Sequence, residues 1–111
     1  MRLGPFYVGQ VPSEPLSFVI RDAATNERVD LSAYGGAETV FVDPTGQLVD
    51  NSNGFTSIVS PPEGVVRYNF GGQSLFHEVG RHSLQIRLMG ANNVSDFTHI
   101  VDFDVLKPLG G

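Results

Sequence analysis

From Arg81 to Met89 the chain alternates with a period of two: His82, Leu84, Ile86 and Leu88 fall on one face, and Arg81, Ser83, Gln85 and Arg87 on the other. A helix would scatter those apolar residues around its circumference, whereas a strand gathers them on one side, so the stretch specifies a half-buried β-strand. It stops at Gly90-Ala91-Asn92-Asn93, a turn composition. The pattern recurs along the chain. Leu16, Phe18 and Ile20 oppose Ser17, Val19 and Arg21, and after the polar turn Asp22–Glu27, Arg28 to Ser32 resumes as a hairpin return. Thr39 to Val42 ends at Asp43-Pro44-Thr45-Gly46, and Gln47 to Asp50 pairs back across that turn. Phe55 to Val59 breaks at Pro61-Pro62-Glu63-Gly64 and is followed by an alternating strand in which Val66, Tyr68 and Phe70 oppose Val65, Arg67 and Asn69. Phe97 to Val105 reads as one last strand, with Phe97, His99, Val101, Phe103 and Val105 on one face.

Thirteen Gly and seven Pro punctuate these segments, leaving Gln73 to Val79 as a helical turn or a loop. The chain is therefore all-β. The strand spacing predicts an immunoglobulin-like β-sandwich of seven to eight short antiparallel strands; a small β-barrel is the alternative, because periodicity does not separate two packed sheets from one closed sheet. With 111 residues and no internal repeat or linker, residues 1–111 form one domain. A chain of that size buries roughly two thirds of its unfolded surface, enough for a core without covalent staples.

Composition removes several functions. The absence of Cys excludes disulfides, thiolate zinc sites and a Cys nucleophile. Seven dispersed basic residues against twelve acidic ones give a charge of −5, and without a Lys/Arg cluster or Trp the expected partners include no nucleic acid. Apolar runs fall far short of the ~18 residues of a membrane span, so no membrane partner is expected. The N-terminal stretch has no signal-peptide apolar run, which predicts a chain not exported by the general route.

Catalytic patterns fail on spacing. His77 and Glu78 are adjacent and would point to opposite faces of a strand, and neither His-x-His nor His-Glu-x-x-His occurs. Gly-x-Ser-x-Gly is absent, Ser74, Ser83 and Ser95 lie in no motif, and Gly35-Gly36 and Gly71-Gly72 read as turns rather than phosphate loops. Asp96, Asp102 and Asp104 read as a solvated face. No catalytic residue, metal or cofactor is expected. His82 and His99 interrupt apolar faces and read as rings satisfied by backbone carbonyls. In a sandwich His82 takes the tyrosine-corner slot, where a ring at the start of a strand bonds upstream backbone. The candidate interaction residues are apolar and lie at the termini and in loops: Leu3, Phe6 and Tyr7 in an arm over residues 1–12, Leu106 and Leu109 in an arm over residues 106–111, and the loop aromatics Tyr34, Phe55 and Phe76. The arms either complete the sandwich edges or reach out to a neighbour by strand addition.

The run Leu16-x-Phe18-x-Ile20-x-Asp22, then Thr25 to Ser32, then Val40-x-Val42-x-Pro44-x-Gly46 resembles the immunoglobulin-like N-terminal domain of phage upper baseplate proteins and the small minor tail proteins of tailed phages. Gly64-Val65-Val66-Arg67-Tyr68 is similar to that family's Gly-Val-x-Tyr strand, and Glu78-Val79-Gly80-Arg81-His82 to its Gly-x-Tyr strand, with His82 in place of Tyr. The resemblance spans residues 13 to 105 and lacks the family's long C-terminal extension. It implies a non-enzymatic virion protein, a minor tail or baseplate component on the tail or capsid surface, assembled in the host cytoplasm. Its partners would be other phage virion proteins and further copies of itself in a symmetric homo-oligomer. A capsid decoration protein of the same fold is the alternative. A carbohydrate- or receptor-binding module is a second, in which loop aromatics would stack on sugar.

Overall fold

The alternating segments form two separate sheets in the computed structural model, which describes residues 3–110. Eight strands run in chain order: β1 (Phe6–Tyr7), β2 (Leu16–Val19), β3 (Tyr34–Val42), β4 (Phe55–Ser60), β5 (Val65–Asn69), β6 (Gly80–Gly90), β7 (Ser95–Phe97) and β8 (Val101–Leu106). One sheet has the order β1-β8-β6-β3, with β7 also on β6; the other has the order β2-β5-β4. Among the described residues no strand pairs across the two, so the molecule is a β-sandwich and the barrel alternative is set aside. All pairings are antiparallel except β1 on β8, where Phe6 lies opposite Val105 and Tyr7 opposite Leu106 in parallel.

The inward rows of the strands interdigitate between the sheets. Leu84, Ile86 and Leu88 of β6 meet Phe41 of β3 and Phe103 of β8, and across the gap Phe18, Val66 and Tyr68 complete the core. Burying each such side chain stabilises the fold by about 1.5–3 kcal/mol. Aromatic rings fill one end, where Phe6 stacks on Phe76 at 4.5 Å and both meet Phe103 edge-on.

Several boundaries differ from the sequence reading. β3 extends back through Gly35-Gly36, so that pair is strand and not turn. Arg28 to Ser32 is no full hairpin return: one bridge joins Arg21 to Arg28 and Val29 donates to Ile20 O. The chain then departs to bury Leu31, whose N–H donates to Pro61 O. Gln73 to Val79 carries no helix.

The largest difference lies in the last strand, which is two strands. Phe97 lies opposite Arg87 and Val101 opposite Leu84, so this edge advances four residues while β6 advances three. One residue is extra, a β-bulge, and it reverses which side chains face inward. Thr98 makes the joint: its N–H donates to Ile86 O, its hydroxyl accepts from Ile86 N–H at 3.1 Å, and Gln85 Nε2 donates to its carbonyl. Phe97 therefore shares the outer face with Arg87 instead of entering the core with Val101 and Phe103.

Candidate functional site

The two outer faces differ in chemistry. On the β6 sheet, Arg87 pairs with Glu38 at 2.9 Å and Arg81 with Asp104 at 3.5 Å, while Asp102 accepts from the Ser83 hydroxyl. These exposed pairs contribute little to stability but keep the face hydrated. The outer face of the other sheet shows Val19 and Phe55, with Arg67 donating to Ser17 Oγ. Phe55 is 60% exposed at the start of β4.

A third surface is a cleft of about 460 Å³ between the sheets, where the edge of β2 faces the bulged edge of β7 and β8. Its walls are Phe18, Ile20 and Val29 on one side and Ile86, Leu88 and Val101 on the other. Phe97, Thr98, His99 and Arg21 stand around it. Above it Tyr34, at the first position of β3, reaches across β6, and its hydroxyl donates to Asp96 at 2.5 Å; that bond to a carboxylate raises the Tyr34 pKa.

The expected interaction residues divide. Tyr7 and Leu106 are cross-strand partners and both are partly exposed, and Leu109 is fully exposed. Leu3 packs against the core. Phe6 and Phe76 are corrections: both belong to the aromatic end, with Phe76 only 1% exposed, because β1 is stitched to β8 and the 70–79 loop folds inward over the open end of the sheets. Tyr34 is also a correction, being a half-buried strand residue with its hydroxyl engaged rather than a free loop aromatic. The N-terminal arm is thus tied into the fold from Leu3 to Val8, whose N–H donates to Leu106 O. Met1, Arg2 and Gly111, the outermost parts of the two arms, lie outside the described residues.

His82 sits at the second position of β6 and is 2% exposed. Its Nε2 is 2.9 Å from Glu78 O, four residues upstream, and since a carbonyl only accepts, Nε2 carries the proton. The ring stacks on Phe103 at 5.5 Å. It also borders a polar hollow of about 330 Å³ with Asp43, Asp50, Gln73, His77 and Glu78. Asp43 is committed to its own turn: its Oδ1 accepts from the Thr45 hydroxyl, Gln47 N–H and Thr45 N–H, which holds its carboxyl below the usual range. Among the described residues no group of three or more His, Asp or Glu could hold a metal ion.

The surface residues that sequence reasoning missed are Phe97 and Ile100, both more than half exposed beside the bulge. The alternation of residues 97 to 105 placed Phe97 inside, and no residue type at 98–100 signals an inserted position. Comparison with protein-family models, with curated proteins and with solved structures finds no match to this chain.

Proposed function

We propose that the protein is a non-enzymatic structural component of a tailed-phage virion, an immunoglobulin-like minor tail or baseplate protein held in a multicopy assembly. The strand order supports the immunoglobulin-like part of this reading. β2-β5-β4 facing β8-β6-β3, with β1 crossing to pair with β8, follows the order in which an immunoglobulin sandwich distributes its strands. The His82 ring bonding upstream backbone at the start of β6 supports the same reading, since a ring in that slot fixes the corner entering the strand. The resemblance of residues 13 to 105 to upper baseplate and minor tail domains supplies the setting, because fold alone does not fix function. Exposed apolar residues along strand edges and at the C-terminal end, Tyr7, Phe97, Leu106 and Leu109, suit a protein whose work is to be held by neighbours.

Immunogold electron microscopy on intact virions, with an antibody raised against the chain, tests the assignment. Label at the tail or its tip is the expected result. Label over the head replaces the reading with a capsid decoration protein of the same fold, and virions without label overturn both.

A further inference from the structure

The turn that leads into β4 holds the chain's one Asn-Gly pair, Asn53-Gly54. Asparagine is a thermolabile residue. With no Cβ on the residue that follows, nothing hinders the Gly54 nitrogen from reaching the Asn53 side-chain carbonyl carbon. The Asn53 side chain is exposed, whereas Asn51 is held by donation of its Nδ2 to Thr39 O at 2.8 Å. The backbone around Asn53 is pinned from both sides. Gly54 N–H donates to Asn51 O at 3.0 Å and closes the turn. Asn53 N–H donates to Gln73 Oε1 at 3.2 Å and Gln73 Nε2 donates to Asp50 O at 2.9 Å, so a single side chain clamps the segment at two points. Opposite that clamp, Asn53 O lies so near Gly71 that a Cβ there would overlap it, and the Cβ position of Gly54 is 2.6 Å from Asn69 O.

We propose that Asn53 is a site of spontaneous conversion to aspartate and isoaspartate, and that the Gln73 clamp sets its rate. The Gly54 nitrogen gives its proton to hydroxide and attacks Asn53 Cγ. The bond from Cγ to the side-chain nitrogen breaks, and ammonia leaves with a proton from water. The five-membered imide so formed takes up one water. Opening at Cγ gives aspartate, and opening at the main-chain carbonyl gives isoaspartate, whose main chain runs through Cγ and is longer by a carbon. In the closed turn the Gly54 nitrogen is bonded to Asn51 O, and Asn53 cannot rotate toward attack while its N–H is held by Gln73 and its carbonyl by Gly71. The turn must open first, so the observed rate is the intrinsic rate scaled by the open fraction. The products do not fit where they form. Isoaspartate lengthens the chain just before Phe55 pairs with Asn69, where Gly54 already lies against Tyr68 and Asn69, and either product adds a negative charge to a chain of −5. Each conversion is therefore a lasting record of an opening.

The chemistry is independent of what the protein assembles with. Three samples aged side by side in mildly alkaline buffer test it: the full chain, its Gln73→Ala variant, and a peptide of residues 50–57 blocked at both ends. Mass-spectrometric peptide mapping locates the conversion, and enzymatic methylation of isoaspartate counts it. Asn53 should convert ahead of every other asparagine. The peptide should react roughly tenfold or more faster than the full chain, and the variant at a rate between the two. Denaturant well below the unfolding midpoint gives the same test without a substitution, since it should speed the full chain and leave the peptide at its own rate. The inference is overturned by faster conversion at another asparagine, by equal rates in chain and peptide, by a folded variant that converts no faster than the parent, or by a rate in the full chain that denaturant does not raise.

Discussion

The two flanks of the sandwich are finished differently. On the flank where β3 faces β4, Thr39 and Thr56 join their hydroxyls across the gap at 2.9 Å, and Asn51 Nδ2 donates to Thr39 O. The chain after β3 turns back along its edge, where Asp43 N–H donates to Gln47 O and Val49 N–H to Phe41 O. The C-terminal end of that edge has its backbone partners. On the other flank, among the described residues, β2 is an edge strand and β8 is met only by β1 and the Val8 N–H. The same two sheets thus carry one flank closed by side-chain and loop bonds and one flank left as an apolar slot.

Substitutions can break that contrast. The largest effect is expected at Gly54, under the closed flank, where an added Cβ would lie 2.1 Å from Tyr68 Oη and 2.6 Å from Asn69 O. Gly54→Ala should cost about 3 kcal/mol or more, read as a fall in the denaturant midpoint, because neither the buried ring nor the backbone can give way. An unchanged midpoint would mean the closed flank is loosely built. His82→Ala should cost about 2–4 kcal/mol, since it removes a buried ring from Phe103 and leaves Glu78 O without its donor. Thermal stability equal to the parent would remove the corner role.

Acid is expected to act through the turns that serve both flanks. Asp22 and Asp30 lie on the β2 side and Asp43 and Asp50 along the closed flank. All four carboxyls are held below their ordinary value of 3.8 by hydrogen bonds, with backbone N–H groups leading for Asp22 and Asp50 and side-chain hydroxyls for Asp30 and Asp43. A depressed folded pKa contributes stability above the unfolded value that is lost as pH falls through the folded one. The Tm should therefore hold from neutral pH to about the ordinary carboxylate value and fall below it. The four-fold Asp→Asn variant should show a shallower fall; an equal slope would locate the acid sensitivity elsewhere. The smallest effect belongs to the open flank: Phe97→Ala, at a side chain 60% exposed, should change stability by no more than about 0.5 kcal/mol. A loss of 2 kcal/mol or more would show that Phe97 is part of the packing after all.

Where side chains alone decide the structure, the residues announce it. The alternation of Arg81 to Met89 became β6, and the turn chemistry of Asp43 to Gly46 and Pro61 to Gly64 marks real reversals. At Gly64 the backbone takes φ 73°, and a Cβ would press to 2.7 Å from Val29 O, so that glycine was legible as a turn for a physical reason. What was not legible depended on partners distant in sequence. Gly36 holds a strand because Met89 of β6 lies opposite it, with Gly35 the unpaired residue where the register shifts, and Phe6 and Phe76 are buried by each other. The cleft was invisible for the same reason, being a gap between β2 and β8 rather than a property of either. The interaction arms were half readable. Leu106 and Leu109 are exposed, whereas the apolar character of Leu3 and Phe6 serves the core.

The extra residue between Phe97 and Val101 makes the exposure of the apolar wall a matter of register rather than of length. Loss of a single codon there would leave Phe97 three residues before Val101, still opposite Arg87 on the outer face, so a shorter chain gains no cover for its wall. Only drawing the bulge flat, which slides β7 by one position along β6 until Phe97 meets Leu88, would carry the ring inward and take Asp96 away from Tyr34. A slip of one position, with no change in the sequence, is what separates the open wall from a covered one.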